Sequence, residues 1–197
     1  VKTPTDEQLL AEVVQGRSDA FELLVRRHAG ELYRFVLRYT NNSVAAEDVA
    51  QDSFLQAYVS AASFDPKRRF RSWLFTIAAN KARDWLRKRA RHTEVSLDAQ
   101  TDESLGPGTL ADLLASENEM PEDTLEINEQ RRLVRRVVDD MPSHLREILV
   151  LSYYHHFRYR ELAEILDVPL GTVKSRLHAA VAHFGRAYQT ALEESGD

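Results

Sequence analysis

The stretch from Phe64 to Arg91, FDPKRRFRSWLFTIAANKARDWLRKRAR, holds ten Lys or Arg side chains, with Asp65 and Asp84 its two acids and Phe64, Phe70, Trp73 and Trp85 among them. Cationic side chains follow the phosphates of a nucleic acid, and an aromatic ring accepts any unpaired base as a stacking partner. These residue types together point to single-stranded nucleic acid. After Pro66, the residues Phe70, Trp73, Leu74, Ile77, Ala78, Trp85 and Leu86 recur at steps of three and four, which predicts a helix with that side turned to a core. Ser72, Thr76, Asn80, Arg83 and Arg87 then fall on the opposite side as a polar and cationic stripe. The plain alternative is a solvated basic face, with Trp73 and Trp85 as core residues, a reading favoured for Trp85.

A second group is acidic. Glu47, Asp48, Gln51 and Asp52 lie three and four residues apart on one side of a predicted helix beginning near Ser43. Paired carboxylates can bind metal or move protons, but no histidine cluster or Gly-rich phosphate loop accompanies these. A solvated face and a docking surface for a basic partner both remain open. The chain has no cysteine, which excludes disulfides and thiolate zinc sites, and its seven histidines show no repeated ligand spacing. Neither a metal nor another cofactor is expected.

The third group lies in RYRELAEILDVPLGTVKSRLHAAVAHF, residues 158 to 184. A short helix from Tyr159 to Leu166, a turn at Asp167-Val168-Pro169 and a second helix with Val173, Leu177, Ala180 and Phe184 inward read as a helix-turn-helix. Gly171 and Thr172 keep the start of that second helix slim enough for a major groove. Thr172, Lys174, Ser175, Arg176 and His178 supply donors for phosphates and base edges.

These groups require helices to carry them, and the rest of the chain supplies helical periodicity throughout. Residues 5 to 15 form a short amphipathic segment ended by Gly16. Ser18 is placed to cap a second helix carrying Phe21, Leu24, Val25, Leu32, Phe35, Val36 and Tyr39 as far as the Asn41-Asn42 turn. In the third, Val49, Ala57, Tyr58 and Ala61 mark the inward side. After Arg91 the pattern dissolves into an acidic, Gly-Pro-containing stretch with a short possible turn at Leu110 to Leu114. Order returns at Pro121, with one helix to Met141 and another over 143–156 with Leu145, Ile148, Leu149 and Leu151 inward.

The net charge of −5 conceals an asymmetry. Residues 92 to 130 hold eleven acids and no Lys or Arg, leaving 26 basic against 20 acidic residues elsewhere, a net of +6. Screening acts within about 10 Å, so local charge decides binding. The predicted fold is all-α: two helical domains, 1–91 and 121–197, joined by an acidic flexible linker at 92–120. With no run of eighteen apolar residues and no charged-then-apolar leader, no membrane insertion is expected, and a cytoplasmic location follows.

AEDVAQDSFLQAY at 46–58, FRSWLFTIAANKARDWLRKR at 70–89 and MPSHLREILVLSYY…ELAEILDVPLGTVKSRLH at 141–178 resemble, in order and spacing, bacterial RNA polymerase sigma factors of the extracytoplasmic-function class. The resemblance implies a transcription initiation factor and not an enzyme. It implies binding to core RNA polymerase, at the clamp of the largest subunit and at the flap, with Glu47, Asp48, Gln51 and Asp52 facing the clamp. It implies promoter DNA as the second partner. Phe64, Lys67, Arg68, Arg69, Arg71, Trp73, Asn80, Arg83 and Arg87 would hold the melted −10 element, and Thr172, Lys174, Ser175, Arg176 and His178 would meet the −35 duplex. An anti-sigma factor, in many cases membrane-anchored, would be a further partner. Where the family often has basic residues after the position of His178, this chain has Ala179 and Val181, which implies weaker −35 binding. Arg158 stands where a Ser or Thr often caps the first helix of the helix-turn-helix.

Read from the residues alone, two rivals stay in play. One is a dimeric helix-turn-helix regulator of duplex operators, which needs no acidic face. The other is an adaptor that binds only proteins and shows no salt-dependent DNA affinity.

Overall fold

The computed structural model describes residues 3–95 and 125–195. The chain divides into two compact units, Val1–Leu110 and Ala111–Asp197. Every regular element among the described residues is helical. None of these helices is long and apolar enough to cross a membrane.

The first unit holds α1 (Asp6–Val14), α2 (Ser18–Thr40), α3 (Ser43–Val59), a 3-10 turn (Ala61–Ser63) and α4 (Phe70–Val95). Thr5 begins α1 with a full capping box: its hydroxyl accepts from Gln8 N at 3.3 Å, and Gln8 Oε1 accepts from Thr5 N at 2.9 Å. Gly16, at φ +93°, ends that segment in a conformation other residues avoid. Ser18 is not a cap as its type predicted. Arg17 occupies that position and makes no side-chain cap bond.

Asn41, left-handed at φ 50°, closes α2. Asn42 opens α3, its Oδ1 accepting from Ala45 N at 2.8 Å, so the cap falls one residue before the serine expected to start this helix. Helices α2, α3 and α4 pack on one another around Leu24, Leu32, Phe35, Val36, Tyr39, Phe54, Phe70, Leu74 and Phe75, all buried. Each such side chain contributes about 1.5–3 kcal/mol of burial free energy. Val49, Ala57 and Ala61 face inward as expected, but Tyr58 is 48% exposed and leans edge-on against Phe21 at 5.0 Å.

The second unit holds α5 (Leu125–Asp139), α6 (Ser143–Leu149), a π-helical turn (Val150–Tyr154), α7 (Tyr159–Leu166) and α8 (Leu170–Ser195). Leu145, Ile148, Leu149 and Leu151 are buried as expected. The single helix expected over 143–156 instead widens at Val150, whose carbonyl accepts from His155 N at 3.3 Å. The chain then reverses through His156 at φ 54°. At the other end of the first unit, α4 runs on to Val95, past the expected boundary at Arg91. The remainder of the expected linker, including the turn at Leu110 to Leu114 and the start at Pro121, lies outside the described residues.

Candidate nucleic-acid interface

In α4 the core side is rotated from the one periodicity indicated. Ser72, Leu74, Phe75, Ala78, Ala79 and Ala82 are buried, and Trp73 and Ile77 are half-exposed. Phe70, Leu74 and Ala78 are buried as expected, and Ala79 and Ala82 join them, because small side chains let packed helix backbones approach and a search for large apolar residues overlooks them. Ser72 therefore leaves the predicted stripe and Trp73 joins it. At about 100° per residue, Trp73, Thr76, Ile77, Asn80, Arg83 and Arg87 share one outward strip.

Trp73 anchors the upstream end of that strip. Its ring lies 5.1 Å from Phe64 and 6.1 Å from Phe70, tilted by 58° and 57°. Phe70 is fully buried, whereas Phe64 and Trp73 keep part of their surface in solvent. The loop between them is locally ordered: Asp65 Oδ1 accepts from Lys67 N at 3.0 Å and Asp65 O from Arg68 N at 2.9 Å. Lys67 and Arg69 are exposed and Arg68 half-exposed. Two to three turns beyond Trp73, Arg83 Nη2 donates to Asn80 Oδ1 at 2.7 Å and Arg83 Nε to the Ala79 carbonyl at 3.2 Å. The first bond occupies the Asn80 amide oxygen at the exposed surface of the strip. Arg87 is exposed and pairs with Asp84.

Two residues behave otherwise than their types implied. Arg71 turns to Glu31 of α2, its Nε donating to both carboxylate oxygens at 3.0 and 3.2 Å, with the guanidinium 5.3 Å from the centre of the Phe75 ring. This side chain joins helices and does not enter the outward strip. Trp85, expected in the core, is half-exposed under Arg89, whose Cζ lies 5.3 Å from the centre of a Trp85 ring.

On α3, Asp48, Gln51 and Asp52 are exposed. Glu47 is half-buried on the side of Tyr33, whose hydroxyl is pushed above its ordinary value of 10.0 by burial and then by the Glu47 charge. Sequence reasoning missed the apolar members of this face. Val44, Leu55 and Val59 are 54, 62 and 71% exposed and share the outward strip of Asp48, Gln51 and Asp52. Their signal was present: α3 carries apolar residues on both sides, which one buried face does not need.

In the second unit, Asp167 at φ 51° and the turn that follows set α7 against α8, with Leu162, Ile165, Leu166, Val173, Leu177 and Ala180 buried between them and their neighbours. Phe184, expected inward, is half-exposed and stacks on Tyr188 at 5.6 Å. Lys174, Ser175 and His178 are exposed, and Thr172 and Arg176 half-exposed. Gly171 faces open space, so the start of α8 is narrow. At α7 the Arg158 N–H donates to Glu161 Oε2 at 2.9 Å, the surviving half of a capping box. Among the described residues no group of three or more His, Asp or Glu side chains is placed to hold a metal ion.

An all-helical unit with an aromatic and cationic strip, joined in one chain to a helix-turn-helix unit, is the architecture of a sigma-70-type transcription factor. Residues 24–92 match the model of Sigma-70 region 2, and residues 131–184 that of Sigma-70, region 4. The chain is 33% identical over 169 residues to the ECF RNA polymerase sigma factor SigW of Bacillus subtilis, covering 86% of this chain and 89% of that one. With the ECF RNA polymerase sigma-E factor of Haemophilus influenzae, identity is 35% over 178 residues, covering 89 and 91%. The solved structure of CnrH in complex with the cytosolic domain of CnrY is similar at a TM-score of 0.66 and 25% identity, covering 95% of this chain and 99% of that one. The chain belongs to the ECF RNA polymerase sigma factors, and its function is that of a transcription initiation factor.

Proposed function

We propose that the two units divide promoter recognition between melted and duplex DNA while α3 ties the chain to polymerase. In this reading Phe64, Lys67, Arg68, Arg69, Trp73, Asn80, Arg83 and Arg87 hold the non-template strand of the −10 element by stacking and phosphate contact. The observation that carries it is the partly exposed Phe64–Trp73 ring pair at the head of the strip that contains Asn80, Arg83 and Arg87. Rings buried on every side could not accept a base. Thr172, Lys174, Ser175, Arg176 and His178 at the slim end of α8 meet the −35 duplex.

Asp48, Gln51 and Asp52, interleaved with exposed Val44, Leu55 and Val59, form the face that docks on the clamp of the core enzyme, with Glu47 at its edge. Charge gives such a face its specificity and the aliphatics give it desolvation energy. The chain itself performs no chemistry here; the polymerase does. Its place of work is the cytoplasm, with core RNA polymerase and promoter DNA as partners. A protein regulator is a further partner, supported by the complex in which CnrH was solved.

The test is reconstitution with core polymerase and run-off transcription on a promoter library. Specific starts that disappear with Trp73→Ala uphold the reading. Specific starts that persist with Trp73→Ala, or none from the wild-type chain, overturn it.

A further inference from the structure

We infer that Glu7, in a helix with no part in the DNA-facing strip, is the residue that positions the loop at 64–69 for the melted strand. The inference rests on the assignment of that loop to −10 DNA. Glu7 Oε1 accepts from the Phe70 backbone N–H at 3.0 Å, across 63 residues of sequence. Phe70 is the first residue of α4, and its N–H is one of the donors that a helix start leaves without an internal partner. A carboxylate there also meets the positive end of the macrodipole of a 26-residue helix. Glu7 thus supplies, from another element, the cap that the basic sequence Lys67-Arg68-Arg69 cannot supply for itself.

Glu7 is held in place by its neighbour. Asp6 Oδ1 accepts from Arg27 Nη1 at 2.7 Å, and Asp6 Oδ2 lies 2.7 Å from His28 Nε2, while Arg27 Nη1 also donates to the Pro4 carbonyl at 2.9 Å. These bonds fix the N-terminus of α1 on α2. The buried His28 ring then lies 5.4 Å from the Phe70 ring, which lies 6.1 Å from Trp73. Asp6, His28, Phe70 and Glu7 therefore form a closed circuit of contacts, and the DNA-facing loop hangs from its Phe70 corner. Without the cap, the first turn of α4 frays, and Trp73, in that turn, loses its register with Phe64.

The experiment uses the full chain with core polymerase on a promoter selected by run-off transcription, and reads both open-complex formation and core affinity. Glu7→Ala is expected to reduce open-complex formation about tenfold, the scale of one charge-assisted hydrogen bond, with core affinity unchanged. Glu7→Gln keeps an oxygen acceptor for the Phe70 N–H but gives up the charge, and is expected to lower opening only about threefold. Wild-type opening by Glu7→Ala, an equal fall in Glu7→Gln, or a matching loss of core affinity overturns the inference. Should Glu7→Ala fail to fold, Glu7→Gln decides: a fall of about threefold with core affinity unchanged upholds the role, and wild-type opening or a fall of about tenfold removes it. A wild-type chain that binds core and opens no promoter removes the −10 assignment, and this inference with it.

Discussion

Lys81 of α4 reaches back to Asp52 of α3, its Nζ 3.6 Å from Oδ2, so an acid of the proposed polymerase face is tied to the helix of the proposed DNA face. The Asp52 side chain is 67% exposed and that of Lys81 30%, so water screens the pair. A double-mutant cycle of Lys81→Met and Asp52→Asn in urea denaturation is expected to give a coupling of about 0.2–1 kcal/mol. Asp52→Asn alone should weaken core-polymerase binding by more than it weakens folding. A coupling of zero at low salt would show that the contact adds nothing to the packing of α3 on α4.

Arg71 and Arg87 have the same side chain and opposite expected phenotypes. Removing Arg71 leaves the Glu31 carboxylate, partly buried between helices, without its bidentate partner. Arg71→Ala should cost about 1–3 kcal/mol of stability. Arg87→Ala should leave the melting temperature within experimental scatter and lower the salt slope of DNA binding by about one. Thermal unfolding and a salt titration on the same pair of variants check both.

His156 sits at φ 54° without being glycine. A Cβ in the left-handed region costs about 1–2 kcal/mol, offset in part by the greater unfolded-state entropy of glycine. His156→Gly is expected to stabilise the chain by roughly 0.5–1 kcal/mol. Denaturant unfolding with an unchanged m-value is the measurement; a loss of stability would mean that the imidazole makes a contact worth more than the strain.

Asp139, at the end of α5, has its carboxyl raised above the ordinary 3.8, first by burial and also by the charge of Asp140, against the pull of Arg135 and Arg146. The folded state therefore holds this proton more tightly than the unfolded state. Its contribution is most favourable below pH 3.8 and is lost as pH rises through the raised native value. Asp139→Asn should consequently stabilise the chain near neutral pH, with the advantage shrinking on acidification toward pH 3.8. Unfolding curves collected from pH 3.5 to 7 (about the span over which a carboxylate titrates) test the sign.

The outward face of α3 gives the remaining prediction. Leu55→Asp and Val59→Asp place charge where the side chains are already 62 and 71% exposed, so folding should change by no more than about 0.5 kcal/mol. Core-polymerase affinity should fall at least tenfold, the scale of a buried apolar contact at an interface centre. Co-sedimentation with core enzyme measures it, and undiminished binding would move the docking face elsewhere.

The sequence by itself determined which segments are helical and which chemistries they carry, because caps, glycines and apolar spacing are local signals and charge asymmetry needs no fold. The acidic face of α3, the cationic α4 and the helix-turn-helix were all legible in this way. Tertiary packing alone decided which side of α4 faces out. Its large apolar residues lie on both sides, and packing against the other helices of the unit selects the side with Ala78, Ala79 and Ala82, so Ser72 is buried and Trp73 left half-exposed. Only packing, too, could commit Arg71 to Glu31 and bring Glu7 to the Phe70 amide. Those partners are 40 and 63 residues apart, and no local periodicity encodes a contact made across another helix.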